Sequence, residues 1–105
     1  MVLIREDPST EHLDSVSWRK WVSKAPVVFI WAAVPYRAPW KYSERAWRYL
    51  FIEAGHACQN LYLGCEVVGA GCCGVEAYDD DAMNQFLELD GDSSFALYMA
   101  PVGLV

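Results

Sequence analysis

A glycine-rich segment at residues 69–74 matches the pattern G-x-G-x-x-G of dinucleotide-binding proteins. That pattern binds a pyrophosphate when a strand precedes the glycines and a helix begins on them, because the phosphates then meet the helix N-terminus. Here the residues before the glycines have helical periodicity, and those after them have the composition of an extended segment. The sequence therefore predicts a turn from helix to strand here, and argues against a Rossmann-type site.

Four cysteines are the candidates for thiol chemistry: Cys58, Cys65, Cys72 and Cys73. They form no C-x-x-C pair, and a disulfide between the adjacent Cys72 and Cys73 would close a strained ring. Cys58 and Cys65 share one helix face near His56, but four metal ligands at the usual spacing cannot be assembled. We expect reduced thiols, mostly packed as small hydrophobic groups, and no metal.

The other polar groups have structural explanations. His56 lies beside Glu53 and Gln59 in a helical pattern with no nucleophile arranged around it, so we expect a hydrogen-bonded polar seam. The aspartates at residues 79–81 lack the spacing of a calcium loop, and Asp79 is instead predicted to cap a helix. Four of the eight basic residues form a cluster: Arg37, Lys41, Arg45 and Arg48. This cluster could bind an anion or form salt bridges with nearby glutamates, the second being slightly favoured.

Several shorter elements are expected to hold these groups. Ser9 or Thr10 is predicted to begin a helix that ends near Lys24. Residues 27–34, VVFIWAAV, are β-branched, aromatic and uncharged, which predicts a strand covered on both faces. The two prolines at residues 35–43 predict a loop that presents five side chains: Tyr36, Arg37, Trp40, Lys41 and Tyr42.

The longest predicted element is a helix that begins at Ser43 and ends before Gly69, which suits a left-handed stop. Its apolar residues form a surface wider than one stripe, so the helix needs neighbours on more than one side. Residues 70–77 are then predicted to be extended. Asp79 caps a third helix that closes near Leu89, with Met83, Phe86 and Leu87 as its buried side. Residues 95–102 are predicted to form a last strand.

Composition limits the class of protein. The chain has 105 residues, enough for one domain, which we assign to residues 1–105. A domain of this length buries only about two-thirds of its unfolded surface, so some of the five Trp, six Tyr and four Phe are expected to face a partner. The net charge of −6 argues against binding to nucleic acid, whose phosphates are also negatively charged. The sequence contains no long apolar stretch and no signal peptide, which predicts a cytoplasmic protein without membrane association.

Three segments occur in a specific order and spacing. They are APVVFIWAAV, the run from KYSERAW through EAGHACQNLYLG to GVEAYDDD, and FALYMAPVG. Together they resemble the C-terminal half of the nitroreductase superfamily, over about residues 25–103. The branch that they resemble most is the SagB-type, azoline-dehydrogenase-like one, with its E/D-A-G-H-x-x-Q-N-L-x-L helix, G-a-F/Y-D-D-D stretch and closing P-V-G.

The resemblance implies an α+β, nitroreductase-like fold of half length, with a long central helix packed on a small mixed sheet. It also implies an FMN-dependent oxidoreductase that forms a homodimer, with flavin at the subunit interface and NAD(P)H as the usual reductant. In azoline-dehydrogenase relatives the flavin oxidises a peptide heterocycle, so the implied substrate is a small molecule or a peptide. The chemistry belongs to the flavin, so the lack of a side-chain nucleophile is expected.

The resemblance also assigns roles to individual residues. Four consecutive residues lie against the isoalloxazine ring and offer it an N–H: Gly74, Val75, Glu76 and Ala77. Three residues of the central helix build the dimer core: Gln59, Asn60 and Gly64. Arg45 and Arg48 are candidate contacts of the FMN phosphate or of the substrate, and the catalytic residues remain unassigned.

The sequence departs from the family in its phosphate site. The N-terminal arginine and serine motif that holds the FMN phosphate has no counterpart in residues 1–24, and no basic tail follows Gly103. Three forms fit this departure: a truncated enzyme, one part of a split enzyme whose partner chain supplies the missing half, or a domain that kept the dimer and lost the cofactor. The expected function is a truncated or split FMN-dependent oxidoreductase of nitroreductase type. The alternative is a non-catalytic dimerisation or protein-binding module of the same fold.

Overall fold

The computed structural model describes residues 16–17, 22–34, 43–92 and 94–104. Its elements are a short 3-10 helix, Val22–Lys24, followed by β1 (Val27–Ala33), α1 (Ser43–Val68), β2 (Ala70–Cys72), α2 (Asp80–Phe86) and β3 (Phe95–Leu104). Most of the predicted N-terminal helix, and the predicted loop side chains Tyr36, Arg37, Trp40, Lys41 and Tyr42, lie outside the described residues.

The strands form one antiparallel sheet in the order β1-β3-β2. Val27 pairs with Val102 at one end of the β1–β3 ladder, and the register shifts after Trp31. Both outer strands run opposite to β3, so the described sheet is antiparallel and the prediction of a mixed sheet is wrong in this detail. The predicted α+β class, with a long helix on a small sheet, is confirmed.

The helix boundaries follow local signals. The long helix spans the predicted residues and ends at Gly69, whose φ of 73° is the left-handed conformation that glycine adopts without a steric penalty. The Asp79 side chain accepts a hydrogen bond from the Ala82 N–H at 2.9 Å, as expected of an N-cap. The short helix α2 ends at Phe86, earlier than the predicted Leu89, because Glu88 adopts a φ of 61°.

The first strand is less covered than its sequence predicts. β1 is an edge strand, while α1 packs against β2 and β3. Val27 and Phe29 are therefore 50% and 42% exposed, and the prediction of a strand covered on both faces is wrong. β3 continues to Leu104, two residues past its predicted end, because Gly103 and Leu104 pair with β2.

The core lies between the sheet, α2 and the N-terminal residues. Met83 and Met99 are completely buried there, beside Val22, Val75 and Tyr78. The Asp79 N–H donates to the Val16 carbonyl at 2.8 Å, so the chain before β1 is tied to the start of α2. Met83 is buried as predicted, whereas Phe86 and Leu87 are only partly buried. No helix within the described residues is long and apolar enough to cross a membrane.

Candidate functional site

Residues 74–77, which the resemblance assigns to the flavin, connect β2 to α2 and are fixed to the central strand. The Val75 N–H donates to the Met99 carbonyl at 2.7 Å, and the Met99 N–H donates back to the Val75 carbonyl at 3.2 Å. The Val75 side chain is buried in the core. The backbone of this segment is therefore held in an extended conformation at one edge of the sheet.

Gly74 lies where three elements meet. Its N–H donates to the Tyr62 hydroxyl of α1 at 2.8 Å. A Cβ at this position would overlap the Tyr98 hydroxyl of β3 and come within 2.8 Å of its Cζ. The close approach of Tyr98 therefore favours glycine at this position. This role of Tyr62 and Tyr98 was not predicted, since each tyrosine belongs to the apolar pattern of its own element.

The backbone of Glu76 and Ala77 offers a hydrogen-bond donor. The Glu76 carbonyl accepts from the Tyr78 N–H at 3.1 Å, and the Ala77 carbonyl accepts from the Ser17 hydroxyl at 3.4 Å. The Glu76 N–H makes no hydrogen bond to any other residue that the structure describes. A rigid backbone donor of this kind suits a ring nitrogen of a planar heterocycle, so these residues fit a flavin.

Two phenols beside this segment stay protonated well above neutral pH. Burial, followed by the nearby Cys58 thiol and Glu76 carboxylate, raises the pKa of Tyr98 to about 12. Burial, followed by the Asp80 and Glu76 carboxylates, raises the pKa of Tyr78 to about 12. Both hydroxyls are therefore hydrogen-bond donors at physiological pH and do not serve as bases there.

The cysteines lie where α1 covers β2. Cys58 and Cys65 are buried on the inner face of α1, and Cys72 is within hydrogen-bonding distance of Cys65. Burial, then the neighbouring thiols, raises the pKa of Cys72 to about 11, so its reactive thiolate is scarce at neutral pH. All four thiols are free, as predicted, but Cys73 is exposed. No group of metal ligands occurs within the described ranges.

The other predicted site residues lie on the outer surface of α1. Arg45 and Arg48 are exposed near its beginning, and neither lines the groove that contains Glu76. His56 is exposed, and so are the three residues assigned to a dimer core: Gln59, Asn60 and Gly64. The structure thus assembles residues 74–77 with Tyr62 and Tyr98, and does not bring the two arginines to them.

A groove of about 450 Å³ lies beside Glu76. Trp47 of α1 and Phe95 of β3 form part of its wall, with ring centroids 5.5 Å apart and planes inclined by 23°. Asn84 lies at its base, where the Oδ1 atom accepts from the Ala96 N–H at 2.7 Å. The groove is large enough for a small planar ligand.

Comparisons with known proteins identify the family and agree with this fold. The model of the nitroreductase family matches residues 3–104. A protein of Methanocaldococcus jannaschii described as a nitroreductase is 34% identical over 82 residues, which cover 78% of this chain and 40% of that protein. The chain belongs to the nitroreductase family, and it spans less than half the length of this curated relative.

A solved structure supports the same fold. The crystal structure of a nitroreductase family protein from Clostridium novyi NT superposes with a TM-score of 0.67 at 16% sequence identity. The match covers 90% of this chain and 54% of that one. The predicted superfamily and fold are thus confirmed, while the SagB-type branch and the assignment to the C-terminal half stay predictions.

Proposed function

We propose that this chain is the flavin-contacting part of an FMN-dependent oxidoreductase of nitroreductase type, in truncated or split form. The observation that carries the proposal is the Glu76 N–H, which is left without a partner among the described residues on a segment fixed to β3 through Val75 and Met99. FMN, when bound, supplies reversible hydride transfer. The chain contributes the donor at Glu76 and the rigid surface of residues 74–77 on which a planar ring can lie.

The neighbouring side chains set the surroundings of that ring. Tyr62 and Tyr98 hold Gly74 from two sides, so the segment cannot move away from a bound ring without breaking these contacts. Val75 closes the inner side and excludes water from the core. With NAD(P)H as the reductant, the substrate is a small molecule or a peptide, and the compartment we propose is the cytoplasm.

A second subunit is part of the proposal. Exposed apolar side chains lie on α1 outside the groove: Ile52, Leu63, Val67 and Val68. Several exposed apolar side chains on one helix are typical of a protein interface. We propose that it joins two copies of this chain, or this chain and a partner chain that supplies the missing half. The FMN phosphate needs cationic or helix N-terminal partners, for which Arg45, Arg48 and the partner are the candidates.

The competing proposal is a non-catalytic dimerisation or protein-binding module of the same fold. The exposed surface of α1 favours this function as much as it favours the enzyme. The two proposals differ in whether residues 74–77 bind flavin. The module would remain colourless with added FMN, whereas the enzyme would retain the visible flavin bands through gel filtration.

The experiment is an FMN titration followed by visible absorption, with the mass in solution measured on the same sample. Glu76→Pro removes the backbone donor without breaking a hydrogen bond inside the described chain, and Glu76→Ala keeps the donor as a matched control. We expect Glu76→Pro to weaken FMN binding about tenfold relative to Glu76→Ala. Equal binding by the two variants would refute the assignment of residues 74–77. No binding by the parent chain or by either variant would refute an enzyme formed by this chain alone, and would leave a split form that needs its partner chain or the non-catalytic module.

A further inference from the structure

The groove beside Glu76 has aromatic walls from two elements. Trp47 and Phe51 lie on α1 with ring centroids 6.4 Å apart, and Phe95 of β3 stacks on Trp47. Trp47 and Phe51 are nevertheless about half exposed, because the groove leaves part of each ring uncovered. These rings offer faces with negative electrostatic potential to any ligand that enters.

The rim of the groove is acidic. Glu76 comes from the segment before α2, and Asp80 and Asp81 come from its first turn. None of the three carboxylates forms an ion pair with another residue in the described part of the chain, and the described residues that line the groove include no lysine, arginine or histidine. Tyr78 also lines the groove, and its pKa is raised by burial and then by the Asp80 and Glu76 carboxylates.

We propose that this groove binds a planar aromatic cation, with its ring against Trp47 and its positive charge towards Glu76, Asp80 and Asp81. Charge complementarity selects the cation, because the three carboxylates, which have no cationic partner among the described residues, repel an anion and gain nothing from a neutral ring. The aromatic walls select a flat ring over a hydrated inorganic ion. The volume of about 450 Å³ accommodates one or two fused rings.

The role of this cation as a substrate rests on the proposed function, since the groove shares Glu76 with the segment assigned to the flavin. Binding itself requires no flavin. The same field disfavours the phosphates of a dinucleotide in the groove, so a phosphate-bearing reductant would need to approach from another side. The substrate class that follows is a heteroaromatic ring with a fixed or readily acquired positive charge.

The test compares three probes of similar shape by isothermal titration calorimetry at pH 8 and low salt. They are 1-methylquinolinium, neutral quinoline and anionic quinoline-2-carboxylate. We expect the cation to bind about tenfold more tightly than quinoline, and its affinity to fall as salt is added. Quinoline-2-carboxylate should bind most weakly. Equal affinities for the cation and quinoline would overturn the proposal.

Variants locate the binding site. Asp80→Asn combined with Asp81→Asn should remove most of the preference for the cation. Trp47→Leu should weaken the binding of both the cation and quinoline. Glu53→Gln combined with Glu66→Gln makes the same change of charge on the exposed surface of α1 and should leave the preference intact. Circular dichroism checks that each variant is folded. A preference that survives in the Asp80 and Asp81 variant would overturn the groove as its origin.

FMN titration of the same samples separates this proposal from the proposed function. Cation binding without flavin binding would support the groove as a cation-binding site and would remove its role as a substrate site. Flavin binding without a preference for the cation would support the proposed function and overturn the proposal that the groove binds an aromatic cation.

Discussion

The two sides of this molecule are built differently. Between the sheet and α2, Met83 and Met99 are completely buried, and the backbone pairs across Val75 and Met99. On the outer side of α1, Leu63 and Val67 are 57% and 86% exposed although both are apolar. The first side is complete within one chain. On the second side, apolar side chains of the kind found in a core are exposed, so the two sides differ in how much of their apolar surface the described chain buries.

The comparison is tested most strongly in the core. Met83→Ala and Met99→Ala should each lower the free energy of unfolding by about 2 to 5 kcal/mol, because each removes a fully buried side chain. Leu63→Ala, measured at protein concentrations that disfavour association, should cost less than about 0.5 kcal/mol. Urea unfolding measures all three. A similar loss for Leu63→Ala would show that α1 is already covered in the single chain.

A charge on the outer face of α1 should have its effect on association. Leu63→Glu should weaken self-association or partner binding about a hundredfold, because it places an unpaired charge in an apolar interface. Sedimentation velocity across a concentration series measures this change. Gln85→Glu adds the same charge on an exposed residue of α2 and serves as the control. An unchanged mass for Leu63→Glu would contradict the interface assigned to this face.

A smaller loss is expected at the boundary between the two sides. Gly74→Ala should cost about 1 to 3 kcal/mol of stability, because its Cβ would press on the Tyr98 ring. Gly55→Ala, in the exposed part of α1 with nothing near its Cβ, should instead add about 0.5 to 1 kcal/mol. Urea unfolding of both variants measures whether each substitution lowers or raises the free energy of unfolding. An unchanged free energy of unfolding for Gly74→Ala would mean that the Tyr98 side chain can shift without loss of stability.

The smallest effect concerns pH. The pKa of Tyr78 rises from 10.0 to about 12 in the folded chain, so its burial stabilises the fold below pH 10 and this contribution is lost as pH rises towards 12. Tyr78→Phe should therefore lose less stability than the parent chain between pH 10 and 12. Urea midpoints at pH 8 and at pH 11 give the comparison. Equal losses in the two proteins would refute the role of Tyr78.

Local signals were sufficient for part of the fold. The bounds of α1 follow from apolar periodicity and from Gly69, and the start of α2 follows from the Asp79 side chain. These features depend on residues close in sequence. The exposure of β1 depends instead on its place in the sheet, and a run of apolar residues is found in edge strands and in central strands alike. The antiparallel order depends on pairings between distant segments in the same way.

The candidate site was predicted only through family resemblance. The order of the motifs located residues 74–77, whereas the glycine pattern and the composition by themselves assigned no site to this segment. The contacts of Gly74 with Tyr62 and Tyr98 bring together three elements that are far apart in sequence. The central position of β3 was also not predictable from local signals. Pro101 lies in this strand, and proline is normally excluded from central strands because it lacks an N–H.

The position of β3 between β1 and β2 has a consequence for the order of folding. Both outer strands pair only with β3 in the described sheet, and β3 follows both of them along the chain. No part of the sheet can therefore form before residues 95–104 are available, whereas α1 can form on its own. Long-range pairing of this kind slows folding. Early in folding, α1 would expose its inner face as well as its outer one, which makes this helix the segment that most needs protection from aggregation.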